Sequence, residues 1–543
     1  MRDPLALITT FFIVACDPGG SGGSGTDDDG TPSTTDPDTS STGTPGDTSG
    51  TGGGDDDTDP GTTSEGSGGE DTGILCEDLD QLDPRRVLIE TRPAVLEAID
   101  LAEVLAAIST NAGLDPDPLA THDALFDTYR VAAMGELDGA HCDDEQVDGV
   151  PSLNGFPLLC PRSEGAFAAF DGALDGWLAI AMVNRIDMAP VDGSHCGEQR
   201  IVFANPSMVG RAFIIIEAQI PNPAPGCGVA ACGPVASLWA ELDAVDDPLE
   251  RRSRLRAAFI DGDPDLQAAG FGPFMSADNL TFGTGQIRTN NFVTGPWTLR
   301  QYELVPHAVG SQTVARPVPV PVSASPHDTL WNDLMASPVG SQCRQAMLDA
   351  LPGLLGDDPA TLGWSIPEAC RSSESVEFQD FYEEHLASGS GSFVAAIETE
   401  LDALAPGSGL DAFDVARRAQ FAGSCIGCHE HSADVSLGGG LVAPPSLGFV
   451  HVTEELTEPC GGGGDCFAIS PALSDVFLPR RMEALQQALS EACTDGCAAS
   501  APAPRPGFAL PPVGTSVAEL HARERAATGG GMTLGGRPVG AGH

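Results

Sequence analysis

Apolar and polar residues alternate along this chain with two different periods, and the points where the period changes outline its organisation. After Pro93 the apolar positions Val95, Leu96, Ile99, Leu101, Val104 and Ile108 recur at helical spacing, and a second helical stretch is expected over 119–134. Runs rich in β-branched residues then take over at 178–186, 200–204 and 212–220, separated by turn chemistry such as Asp192-Gly193-Ser194. After a polar helical stretch over 248–260, strands are predicted again at 286–293 and 297–304. This order predicts an α+β domain over residues 74–310, built on a mostly antiparallel sheet.

Arg316-Pro317-Val318-Pro319-Val320-Pro321-Val322 reads as an extended polyproline spacer and marks a boundary. Beyond it the spacing is helical over 327–335, 341–351, 376–386, 392–404, 411–422 and 479–492, so residues 323–500 are expected to form a helical region. Residues 501–543, rich in Pro, Gly and Ala, are expected to be a flexible tail. At the other end, residues 17–73 are almost entirely Gly, Ser, Thr, Asp and Pro. Such a segment cannot bury enough apolar surface to offset the entropy of ordering, so it predicts a disordered acidic tether with a span of roughly 40 Å.

The first residues carry a short apolar run, Leu5 to Val14, that is too short to cross a bilayer as a mature helix. It ends in Ile13-Val14-Ala15-Cys16, which resembles a bacterial lipoprotein signal with its lipobox over residues 1–16. The resemblance implies cleavage before Cys16 and acylation of that cysteine, and two or more acyl chains give a stable anchor. The expected location is the cell envelope, lipid-anchored in the periplasm or on the cell surface. The alternative is an ordinary signal peptide and a freely secreted chain.

Composition narrows the partners. The formal charge is −52, and all 26 basic residues are arginine. Such acidity argues against nucleic acid as a partner and against adsorption to anionic lipid. The alternating Arg185, Arg200 and Arg211 are expected on the wet face of a sheet.

The chemistry of the chain is concentrated in Cys425-Ile426-Gly427-Cys428-His429. Cys-x-x-Cys-His is the attachment sequence of a c-type haem: two thiols add to the haem vinyls, and the histidine takes one axial position on iron. Competing readings are a plain disulfide, which leaves His429 unexplained, and half of a zinc site, which lacks a second cysteine pair at the usual spacing. With 15 cysteines in all, setting aside Cys16, Cys425 and Cys428 leaves an even number for disulfides in an oxidising compartment. Cys227/Cys232, Cys460/Cys466 and Cys493/Cys497 invite local bridges, and Cys142/Cys160 and Cys343/Cys370 longer ones.

Around this motif, residues 405–495 resemble the class I c-type cytochromes. That family places an aromatic residue four positions before the first cysteine to pack on the C-terminal helix, where Phe421 stands here. Arg417 occupies the position of a usual glycine. The family's Pro-x-Leu-Gly-like element, whose proline carbonyl accepts the proximal histidine Nδ1–H, is matched by Pro445-Ser446-Leu447-Gly448. The family's methionine ligand would be Met482, with His451 as the alternative sixth ligand, while Arg417, Arg418, Arg480 and Arg481 are candidates for neutralising haem propionates. The fold implied is an all-α cytochrome c-like haem domain following the sheet domain.

The function expected from these features is an exported, lipid-anchored monohaem cytochrome that exchanges electrons with a redox partner protein, rather than a stand-alone enzyme. Two alternatives stay open: a peroxidase-like haem oxidoreductase with an open iron site, and a surface binding protein with a structural or sensory haem. The anchor itself is open to test. Metabolic labelling with a fatty-acid analogue should tag the wild-type chain and not Cys16→Ser; a variant that keeps its label removes the anchor assignment.

Overall fold

Strands that are buried on both faces need a cover on each side, and the long β-branched runs of this chain are built in that way. In this computed structural model, residues 76–495 are described, apart from 136–138, 169–171, 207–209, 425–426, 428, 430–431 and 462. Cys16, Cys425, Cys428, the tether over 17–73 and the tail over 501–543 therefore lie outside the described residues.

Short helices α1 (Pro84–Val87) and α2 (Pro93–Leu96) flank strand β1 (Ile89–Glu90), and α3 (Leu101–Asn111) and α4 (Pro118–Asp127) follow. A small three-stranded ribbon comes next, formed by β2 (Gln146–Val147), β3 (Val150–Leu153) and β4 (Phe156–Pro157). The main strands are β5 (Leu178–Arg185), β6 (His195–Asn205), β7 (Ala212–Pro221), β8 (Gln286–Asn291), β9 (Thr298–Val309) and β10 (Gln312–Val320), with α5 (Gly233–Glu241), α6 (Pro248–Arg256) and α7 (Pro264–Ala268) between β7 and β8. The remaining elements are α8 (Gly340–Asp349), β11 (Ser375–Val376), α9 (Tyr382–Ala387), α10 (Ser392–Leu404) and α11 (Ala412–Gly423). Hairpins β12–β13 (Ser436–Gly438, Leu441–Val442) and β14–β15 (Val452–Pro459, Asp465–Ile469) then lead to α12 (Leu478–Asp495). Among the described residues no helix is long and apolar enough to cross a membrane.

Several helices start in the same way. Asp83, Asp117, Asp247 and Asp263 each precede a proline and accept a backbone N–H from the first turn. The aspartate satisfies an orphan donor, and the proline, pre-set in φ, removes another. Part of the acidic excess is therefore local helix chemistry.

Strands β1, β5, β6, β7, β8, β9 and β10 are neighbours in that order, all antiparallel, and β11 pairs with β9. On one face, Trp239 of α5 donates to Gln199 at 2.8 Å, and Thr128 and Tyr129 after α4 reach Tyr302 and Thr289 at 2.9 and 2.8 Å. The opposite face is covered by chain from the C-terminal part of the molecule.

The proline run is not a spacer. It forms β10, which pairs with β9 from Gln312 through Val320. Thr313 N–H is taken by Asp115, and the Ala315 carbonyl by Thr121 Oγ1. Their backbone groups thus face away from β9, and Pro317 and Pro319 share their parity. The missing N–H groups fall on the open side of an edge strand, where no ladder bond is lost.

The expected division into a sheet domain and an all-α haem domain does not hold. The C-terminal part contains β11 in the main sheet and two hairpins of its own, and one hydrophobic core runs from Val87 to Leu489. The 327–335 helix is only a 3-10 turn, Asp328–Leu330, and 376–386 divides between β11 and α9. Strand β14 escaped the sequence pattern because most of it is not buried. A solvated strand carries no apolar alternation.

The disulfides reinforce this unity. Cys142–Cys160, Cys343–Cys370 and Cys460–Cys466 pair as the spacing suggested. Cys232, however, bonds Cys196 instead of Cys227, and Cys493 bonds Cys76 across 417 residues, leaving the Cys493/Cys497 bridge unmade. Nearness in sequence is a poor guide once helices and strands set the directions of the side chains. Replacing Cys76 and Cys493 together with serine should lower stability by about 2–4 kcal/mol in denaturant titration; a midpoint unchanged from wild type would show that the long loop closure contributes nothing.

Candidate functional site

The attachment motif follows α11 directly. Asp411 accepts the N–H groups of Phe413 and Asp414, and Asp414 takes the N–H of Asp411 in return, a reciprocal cap that fixes the start of the helix. At its far end the N–H and hydroxyl of Ser424 both bond the Gln420 carbonyl at 3.0 Å, and Gly427 N–H donates to Ser424 Oγ at 2.9 Å. A Cβ on Gly427 would stand 1.8 Å from the Gln420 oxygen. Only glycine lets the backbone turn this closely.

The turn leads to His429, which is 6% exposed and lines a cavity against the sheet. The empty space, counted out into the open solvent at its mouth, is about 730 Å³. Its floor follows from strand register. Val183, Arg200 and Glu217 stand opposite one another across β5, β6 and β7, and Val202, Ile215 and Arg288 across β6, β7 and β8. The roof includes Phe449 and His451 from the loop before β14, with Leu473 and Arg481 from the final helical segment.

Charge in the floor is buried and paired. Glu217 receives Arg288 Nε at 2.7 Å and Gln286 Nε2 at 2.6 Å, with Arg200 Nη1 at 2.9 Å. Burial alone would raise its carboxyl, but the two guanidiniums win and hold it at about 2. Arg200 also reaches Glu198 at 2.7 Å; Arg185 pairs with Asp187 at 2.9 Å, and Arg481 stands 4.0 Å from the same carboxylate. The expectation of a wet face for Arg185 and Arg200 is thus wrong: they are 1% and 6% exposed. Arg211 is partly exposed and paired with Glu454 at 2.7 Å.

Both histidines are held neutral. Burial, then the nearby Arg288, brings His429 down to about 3, and burial with His429, Arg481 and Arg185 holds His451 well below the usual imidazole range. Their ring centroids are 4.5 Å apart and the planes are tilted by 35°. His451 Nδ1 lies 2.8 Å from Ser470 Oγ, which also accepts the N–H of Leu473 at 3.1 Å.

The other expected site residues are distributed as follows. Phe421 is buried and stacks on Phe477, 6.4 Å between centroids, just ahead of α12. The Pro445 carbonyl accepts the N–H of Ala472 at 2.9 Å. Met482 is buried in the core on α12 and is not among the cavity-lining residues. Of the four arginines considered for propionates, Arg481 alone lines the cavity. Arg418 is buried against the carbonyls of Leu354, Gly356, Leu437 and Gly438; Arg417 pairs with Glu383 and Asp414, and Arg480 with Glu483.

Sequence reasoning missed Arg200, Glu217, Arg288 and Ser470. Opposite charges at matching parity on three successive strands were a usable signal, but only once their register was known. Toward a haem the lining offers apolar Val183, Val202 and Ile215 and the buried, neutral imidazole of His429, whereas the guanidiniums of Arg200 and Arg288 are already paired with Glu198 and Glu217. When no haem is considered, the same set offers a cavity with two neutral bases.

Below Ser424 lies a further unusual group. Asp380 is fully buried and accepts the Ser375 hydroxyl; burial first, then Asp328 and Glu374, pushes it up to about 8 against the hydrogen bonds of Ser375 and Ser424. A carboxyl that holds its proton more tightly when folded favours the native state below its unfolded value near 3.9, and that advantage falls away as pH rises towards 8. Asp380→Asn should remove this part of the pH dependence, so stability measured between pH 4 and 8 should decline less than in wild type. Parallel curves for the two proteins would mean that Asp380 is ionised.

No family model matches this sequence, and neither the curated proteins nor the solved structures provide a match.

Proposed function

We propose that this chain is an exported, lipid-anchored protein that binds one haem c covalently through Cys425 and Cys428 and serves in electron transfer with a redox partner protein. The observation that carries this reading is His429: the motif histidine is buried, is held neutral by burial and the nearby Arg288, and lines a cavity against the sheet. When bound, the haem supplies one-electron iron chemistry, and the axial ligands and surrounding polarity set its potential. The chain's part is to hold and shield it. His429 presents a neutral ring nitrogen, Val202 and Ile215 give the floor an apolar surface for the macrocycle, and Arg481 stands on the cavity wall.

A second reading, a haem oxidoreductase with an open iron site, draws on the polar strip of Arg200, Glu217 and Arg288 in the same floor. Those groups are tied to one another, which favours a structural and electrostatic role over proton transfer to a substrate.

Expression with c-type maturation machinery should give a protein that keeps haem through denaturing electrophoresis, and Cys425→Ala/Cys428→Ala should lose that haem stain completely. Wild-type protein without covalent haem overturns the proposal; steady turnover of peroxide with an aromatic donor would transfer it to the second reading.

A further inference from the structure

Resting on the covalent haem proposed above, the question left open by the motif is what occupies the second axial position. Two ligands were suggested by sequence, Met482 and His451, and the structure separates them. Met482 points into the core from within α12, at 6% exposure, and does not line the cavity. His451 lines it together with His429, with 4.5 Å between their ring centroids.

We infer that His451 is the second iron ligand and that Ser470 is the residue that positions it.

The hydrogen bonding supports this assignment. A metal-binding imidazole uses one ring nitrogen for the metal and gives the other, as N–H, to a fixed acceptor. Ser470 Oγ is such an acceptor: it is buried, held by the N–H of Leu473, and 2.8 Å from His451 Nδ1. With Nδ1–H donating there, Nε2 keeps its lone pair. The backbone adds a second tie, Ser470 N–H to the His451 carbonyl at 2.8 Å.

The spacing places the two rings as neighbours at one site. Two imidazole nitrogens, each about 2 Å from one metal ion, place their ring centroids roughly 6 Å apart. On a haem the two rings stand end-on at opposite faces of the macrocycle, so from the contact seen here they part by about 2 Å and turn edge-on as the haem enters between them. His451 sits just before β14, outside any helix or strand, and its ties to Ser470 leave the ring's Nε2 side as the part free to reorient.

Two imidazoles close the iron to small ligands, and they give a lower potential than a His–Met pair, because methionine raises it. The experiment uses the full chain with its haem attached, as verified first by haem stain after denaturation. Optical and electron paramagnetic resonance spectra, carbon monoxide binding and redox titration are then compared for wild type, His451→Gly, Ser470→Ala and Met482→Leu. The wild type should be low-spin and inert to carbon monoxide. His451→Gly should turn high-spin and bind carbon monoxide, and added imidazole should restore the low-spin spectrum, which separates ligand loss from misfolding. Ser470→Ala should keep the low-spin state but shift the potential, and Met482→Leu should leave the spectrum as it is. If covalent haem is present and His451→Gly remains low-spin, or if Met482→Leu alone opens the iron, His451 is not the ligand while the haem proposal stands. Absence of covalent haem from the wild type overturns both.

Discussion

Glu217, buried between Arg200 and Arg288, couples the centre of the sheet to the cavity above it. A carboxylate at that depth is tolerable only because guanidiniums from the strands on either side surround it. Such a row adds little net stability, since removing the ions from water offsets most of their attraction. Its effect is on register. A slip of β7 by one residue would carry Glu217 to the other face and strip Arg200 and Arg288 of their shared carboxylate, and breaking a buried pair in that way costs about 3–5 kcal/mol.

With the sheet so fixed, the C-terminal chain has one place to lie. Arg211 just before β7 pairs with Glu454 in β14, Phe467 of β15 donates to the Thr91 carbonyl at 2.8 Å, and Cys493 is bonded to Cys76. These ties draw residues 449–493 over the charged face of the sheet. The cavity beside His429 is therefore a product of two distant stretches of chain: strands supply the floor, and a loop and helix far along the sequence supply the roof.

Burial then sets the chemistry. An exposed histidine is part-protonated near neutral pH and competes poorly as a ligand. Here desolvation and neighbouring guanidiniums keep His429 and His451 neutral, so each ring keeps one nitrogen with a free lone pair. The charged row that fixes the sheet thus also favours the state of imidazole that a metal requires.

Local chemistry was legible in the sequence. The β-branched strands, the helix leading into the motif and the Cys-x-x-Cys-His spacing each depend on residues within a few positions of one another. The all-helical cytochrome-like domain was not the outcome, because the edge strand over 312–320 hid its pairing behind prolines and β14 is largely solvated. The partners of Arg200, Glu217, Arg288 and His451 were likewise out of reach. Their meaning depends on strand register and on the 417-residue closure between Cys76 and Cys493. The sequence by itself determined a motif, its turn and the elements around it; tertiary structure alone decided which imidazole stands beside His429, because burial and long-range pairing, unlike turn and helix propensity, are properties of the folded chain.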